Sequence, residues 1–276
     1  MDGLTPPSPG GEGQSSERMK MKKILILTYI LLAVGPVMGR TVVETVKSTF
    51  GERLQYAVRV GYNVGGNMPL GMPEEIRGLN NYTPQLNPVI GGDMLLPIND
   101  RWAGYIGLRF ENKAMSEDAK VKNYSMEITK GGETMGGRFT GDVMTKTSEW
   151  MLTLPIQAML HWNKVDLRLG PYVSYLINRE FSGWAHNGYL RVDDPTGAKV
   201  LLGEGPNERG DYDFSEHMCR WHFGIGLGAD WHFGSRMGAY AELNWGVTPT
   251  MRGDFHTIEQ KLFPIYGTLG LTYKLK

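Results

Sequence analysis

The chain has 276 residues, of which 37 are glycine and 11% aromatic, and its 29 basic side chains balance 29 acidic ones. That balance excludes the broad basic face a nucleic-acid binder needs, and the composition departs from that of an α/β enzyme. A lone cysteine, Cys219, allows no internal disulfide and reads as a small apolar strand residue rather than a nucleophile.

Residues 1–18 are polar and rich in Gly, Ser and Pro, and are expected to precede the true translation start at Met19 or Met21. From Met19 the order is basic (MKMKK), apolar (ILILTYILLAV) and then small, at Val37, Met38 and Gly39. This is the layout of a secretory signal peptide over 19–39, with the mature chain starting near Arg40. The apolar run is too short for a spanning helix. No cysteine stands at the cleavage point, so a lipid anchor is not expected. Residues 40–54 read as a periplasmic lead-in.

From Gln55 to Gly66, Tyr56, Val58, Val60, Tyr62 and Val64 share one face, with Ala57, Arg59, Gly61 and Asn63 on the other. A period of two predicts a strand. A Gly-, Pro- and Asn-rich loop is expected from Asn67 to Gln85. Strand two, Leu86 to Ile98, opposes Pro88, Ile90, Met94, Leu96 and Ile98 to Val89, Asp93 and Pro97, and ends in a tight turn at Asn99 and Asp100. Strand three, Arg101 to Lys113, opposes Trp102, Ile106, Leu108 and Phe110 to Tyr105, Arg109 and Glu111.

A long polar loop is expected from Ala114 to Lys146. Strand four follows, with Trp150, Leu152, Leu154, Ile156, Ala158, Leu160 and Trp162 backed by Glu149, Thr153, Gln157 and His161. Asn163 and Lys164 turn the chain. Strand five, Val165 to Arg179, opposes Leu167, Leu169, Val173, Tyr175 and Ile177 to Asp166, Arg168, Tyr172 and Ser174. A third long loop, Glu180 to Tyr212, contains a possible hairpin, YLRV then DDPTG then AKVLL. Strand six, Phe214 to Phe233, opposes Cys219, Trp221, Phe223, Ile225, Leu227 and Trp231 to Arg220, His222, Asp230 and His232. Strand seven, Arg236 to Thr248, and strand eight, Lys261 to Lys276, repeat the alternation.

Long and tight connections alternate along these eight strands. All long loops then lie at one end, as in an outer-membrane barrel with short periplasmic turns. The predicted fold is all-β: a transmembrane antiparallel up-and-down β-barrel of about eight strands over 55–276, in the cell outer membrane. Six of the seven tryptophans (102, 150, 162, 221, 231 and 245) fall on the apolar faces. At ~3.3 Å per residue and ~45° tilt, the pairs 150/162 and 221/231 are separated vertically by roughly 28 and 23 Å, close to the ~25 Å apolar band between aromatic girdles. The apolar faces are therefore assigned to lipid. A lipocalin-type soluble barrel would have to crowd the same indoles into a small cavity. The opposite face carries Arg59, Asp93, Arg109, Glu111, Glu149, Asp166, Arg168, Arg220, Asp230 and Glu242, which are expected to pair across the lumen.

The stretch EWMLTLPIQAMLHWNKVDLRLGPYVSYLI, from Glu149 to Ile177, resembles the PorT-like outer-membrane β-barrel family common in Bacteroidetes. The Gly170, Pro171, Tyr172 motif and the closing GLTYKL of Gly270 to Leu275 fit its pattern. The likeness implies a barrel of about eight strands, usually without an assigned activity, with some relatives in type IX secretion and gliding. The final Lys276 departs from the terminal aromatic that is the more common assembly signal.

Three constellations are candidates for chemistry. His161, Asp166, Asp230 and His232 project inward near the periplasmic end, where lumen salt bridging competes with a metal or acid/base site. Ser148, Glu149 and His217 contain the residue types of an outer-membrane lipid A deacylase. Asp193, Asp194, Glu204, Asn207, Glu208, Asp211 and Asp213 could bind calcium, against plain loop solvation. None outweighs its structural alternative, so the sequence assigns no catalytic, cofactor-binding or metal residue and no cofactor. The expected activity is non-enzymatic: a barrel plugged by charged residues, its surface loops serving contact or accessory roles. A narrow diffusion pore and a lipid-modifying enzyme are the alternatives. Expected partners are outer-membrane lipid and lipopolysaccharide, with the barrel assembly machinery during insertion and an unidentified envelope protein possible.

Overall fold

A computed structural model describes residues 53–71, 73–258 and 260–275; the predicted extension at 1–18, the signal peptide at 19–39 and most of the lead-in at 40–54 fall outside them. The strands are β1 (Gln55–Pro69), β2 (Ile76–Pro84), β3 (Pro88–Pro97), β4 (Trp102–Lys130), β5 (Glu133–Trp162), β6 (Val165–Val192), β7 (Lys199–Leu202), β8 (Gly210–Asp213), β9 (Trp221–His232), β10 (Met237–Gly246) and β11 (Leu262–Lys274). Eight close an antiparallel ring in the order β1, β3, β4, β5, β6, β9, β10, β11, with β11 returning to β1 from Ala57↔Lys274 to Pro69↔Leu262. Closure removes the edges that lipid could not satisfy.

The tight turns lie where the sequence places them. Asn99 Oδ1 accepts hydrogen bonds from the backbone N–H of Arg101 (2.9 Å) and Trp102 (2.8 Å). Asn163 turns the β5/β6 hairpin at φ 60°, a left-handed conformation asparagine tolerates.

At the other end the expectations need correction. The expected polar loop at 114–146 is the outer half of two strands, since β4 and β5 run for 29 and 30 residues. They join at Gly131 and Gly132, both at positive φ (62° and 85°), a conformation that favours glycine. β6 likewise continues to Val192, and the expected hairpin pairs Gly188–Arg191 with β7. The 67–85 loop contains the end of β1 and all of β2, which pairs with β4. Strand six begins at Trp221 rather than Phe214, after a 3-10 turn at Ser215–His217, leaving Cys219 and the exposed Arg220 outside the strand. Trp150, expected near a strand end, sits mid-strand and stacks on Phe110 at 5.0 Å.

The cause is an inversion of polarity along the same strands. Within the barrel Leu108, Phe110 and Leu152 point outward and are 56%, 44% and 41% exposed, while Arg109, Glu111 and Thr153 are buried. Beyond about Lys113 the inner face turns apolar, through Met115, Val121, Met126 and Ile128 on β4 and Phe139 and Val143 on β5. Asp118, Lys120 and Glu127 now face outward. Such a wall buries its apolar face against itself and wets the other. From Lys113 to Lys130 it rises roughly 40 Å at ~3.3 Å per residue and ~45° tilt.

Candidate functional site

Three guanidiniums and three carboxylates occupy the middle of the lumen. Arg168 of β6 donates from Nε to Asp230 of β9 (2.8 Å) and from Nη1 to Glu242 of β10 (3.0 Å) and Gln157 of β5 (2.9 Å). Arg59 of β1 donates to Asp93 of β3 at 2.5 Å, and Arg109 of β4 to Glu242. Tyr105 ties the set together: its hydroxyl donates to Asp93 (2.5 Å) and accepts from Arg109 (2.8 Å), while Arg168 lies 4.7 Å over its ring. All six charged residues are at most 4% exposed. Their charges cancel, and each is paired, the condition under which buried ions are tolerated. Glycines of β9 make the room: a Cβ on Gly228 would sit 2.7 Å from Arg168 Nη2, and one on Gly226 2.6 Å from Gln157 Nε2.

A second polar layer lies above. Glu111 accepts from Thr153 (2.5 Å) and Asn63 (3.0 Å), and Lys113 approaches Glu111 at 3.4 Å. Asn67 donates to Glu149 at 2.6 Å. At the periplasmic end Asp166 binds both His161 and His232, the latter at 2.6 Å. Of the four residues expected there, Asp230 is elsewhere, held by Arg168 and Arg59. Among the described residues no group of three His, Cys, Asp or Glu side chains has a metal-binding arrangement.

Ser148, Glu149 and His217 do not assemble. Ser148 bonds Asn112 at 3.4 Å, Glu149 bonds Asn67, and the His217 ring stacks on Phe255 at 4.8 Å. The acidic third-loop residues are also dispersed: Asp194 caps Thr196, Asp213 caps Ser215, Asp211 pairs with Arg209 and Glu204 accepts from Asn187.

Directly above the polar layers is a cavity of about 470 Å³, bounded by β1, β2, β4, β5 and the β8 region. Its wall is mostly apolar, from Met115, Val121, Val143, Phe181 and Phe214. Met68 and Leu79, 44% and 59% exposed, flank its open side, where β2 is paired with β4 alone among the described strands. Glu117 is the sole charged residue among the described residues lining it. Burial pushes the pKa of Glu117 up, and no lysine, arginine or histidine stands among the described lining residues to offset this. The hydroxyls of Tyr82 and Tyr212 are committed, to Gly65 O (2.6 Å) and Met144 O (3.0 Å). Sequence reasoning missed this cavity because its lining comes from segments read as loops; the alternation of Met115, Glu117, Ala119 and Val121 was the available signal.

Residues 44–252 match the family described as the outer membrane protein beta-barrel domain. The chain belongs to this family. As an outer membrane beta-barrel protein it resides in the outer membrane, which agrees with the outward apolar belt. Similar solved structures are Ail, the attachment invasion locus protein of Yersinia pestis (8% identity, 80% of this chain and 97% of that one, TM-score 0.34), and OprG of Pseudomonas aeruginosa (12%, 80% and 95%, TM-score 0.32). Acinetobacter baumannii CarO2 is another (10%, 80% and 99%, TM-score 0.36). No curated protein matches the chain.

Proposed function

We propose that this outer membrane barrel is non-enzymatic and non-conducting, and that its working part is the wall projecting beyond the membrane. The observation that carries this reading is the six-residue ion-pair network around Tyr105, which joins β1, β3, β4, β6, β9 and β10 across the lumen. An ion crossing the barrel would have to displace buried, mutually neutralised charges, each several kcal/mol from water. The stretch 149–177 supports a PorT-like relationship within the family, and with it an accessory role at the envelope, secretion included. The MKMKK-led segment supports export by a signal peptide over 19–39. Lipid and lipopolysaccharide are the partners of the apolar belt, reached through the barrel assembly machinery. Single-channel recording of the purified protein in planar bilayers tests the closed lumen: a flat baseline is expected, and a steady unitary conductance overturns it.

A further inference from the structure

The geometry points to the cavity above the lumen as a binding site for one small apolar molecule bearing a single amine, with the amine at Glu117 and the hydrocarbon among Met115, Val121 and Val143. This deepens the reading of the projecting wall as the working part. Conductance tests the closed lumen and ligand binding tests the cavity, so either can fail alone.

Four observations converge. The volume, about 470 Å³, lies within the range of small-molecule sites, which runs from roughly 300 to 1,000 Å³. Its wall is of the kind that orients a ligand by one polar group and holds the rest by apolar contact. Methionines at three points, Met68, Met115 and Met126, give it adaptable surface rather than a fixed outline.

The fourth is the placement of Glu117. On β4 it occupies an inward position between Met115 and Ala119, while the neighbouring Asp118 faces outward to His186 at 3.3 Å. Asp118, one residue away, has a histidine partner, whereas the wall around Glu117 is mostly apolar. Burial without a cation among the described lining residues disfavours the charge, and an ammonium group supplied by a ligand would relieve that cost. The same charge repels a fatty carboxylate or a lipid phosphate. The site therefore selects for the head group while leaving the hydrocarbon loosely specified.

Octylamine, octan-1-ol and octanoate share one body and differ in head group. Each is titrated calorimetrically into lipid nanodiscs with the protein, and into empty nanodiscs to subtract partitioning. Saturable one-to-one binding of octylamine is expected, with weaker binding of octanol and none of octanoate. Glu117→Gln should weaken octylamine roughly tenfold and leave octanol unchanged. Gly78 lines the cavity on the inward side of β2, and a Cβ there meets nothing within 4 Å. Gly78→Phe should fill the space and abolish binding of both ligands while the barrel still shows its heat-dependent gel shift. Ala119→Phe serves if Gly78→Phe does not fold. Absence of saturable, protein-dependent octylamine binding overturns the proposal. Octanoate binding as well as octylamine, or a folded cavity-filling variant that binds unchanged, does the same.

Discussion

Arg168 Nη1 lies 3.0 Å from Glu242 Oε2, joining β6 to β10 across the lumen from positions 74 residues apart. Both side chains are almost wholly buried, so each is held by protein partners rather than by water: Arg168 also by Asp230 and Gln157, Glu242 also by Arg109. Removing one partner of a buried pair costs up to about 3–5 kcal/mol because it leaves the network with an unbalanced buried charge.

Arg168→Met is therefore expected to lower unfolding stability in urea-titrated lipid vesicles by about that amount, leaving Glu242 to Arg109 alone and Asp230 to the more distant Arg59. Glu242→Leu alone should also destabilise, and the double variant should recover part of the loss. A coupling between the two substitutions of ~0.5–3 kcal/mol is expected. Strict additivity would mean that the pair is not a unit.

The lipid belt predicts a contrast between two outward positions. Leu169, 56% exposed, pairs with Ala158 and Leu227 at mid-height. Leu169→Arg should cost about 2–4 kcal/mol in a bilayer. Glu127→Arg, on the outward face of the projecting half of β4, should stay within about 0.5 kcal/mol. Equal costs at the two sites would contradict the height assigned to the membrane.

Glu117 should give the stability a pH dependence of definite sign. Its folded pKa is raised above the ordinary 4.5, so the folded state holds the proton more tightly than the unfolded chain. Stability contributed by the protonated form is complete below 4.5 and declines as pH rises from there through the folded pKa. Unfolding measured across that window should show the decline in the native protein and lose that component in Glu117→Gln. An unchanged slope would show that Glu117 is not the group responsible.

Cys219 reports topology. It lies at the cell-exterior end of β9, two residues before Trp221, and is partly buried, which pushes its thiol pKa up. A membrane-impermeant maleimide should label it on intact cells, slowly at neutral pH and faster at alkaline pH as thiolate forms. Labelling confined to lysed cells would place the long hairpins on the periplasmic side instead.

Within the membrane the sequence was nearly sufficient. Strong period-two alternation with apolar residues outward, as in Tyr56 to Val64 or Trp221 to Trp231, specifies strand, face and register together, because a one-residue slip would put the arginines into lipid. The tight turns at Asn99 and Asn163 and the inward set of charges were legible for the same reason. Arg220 was misplaced because the alternation was carried past the true start of β9 into the bend at Cys219.

Outside the membrane the same period carries the opposite polarity, and the signal fades: Ser116, Asp118 and Lys120 alternate with Glu117 and Ala119, and the stretch reads as polar loop. Its strand character comes from partners, β2 on one side and β5 on the other, which no local window contains. The amino-acid order by itself determined that this is a barrel, where it sits and which groups face inward, since lipid imposes one-dimensional rules on each strand. Which carboxylate meets which guanidinium, and that a cavity lined by Glu117 stands above them, depended on side chains converging from distant strands, and only the closed ring decided it.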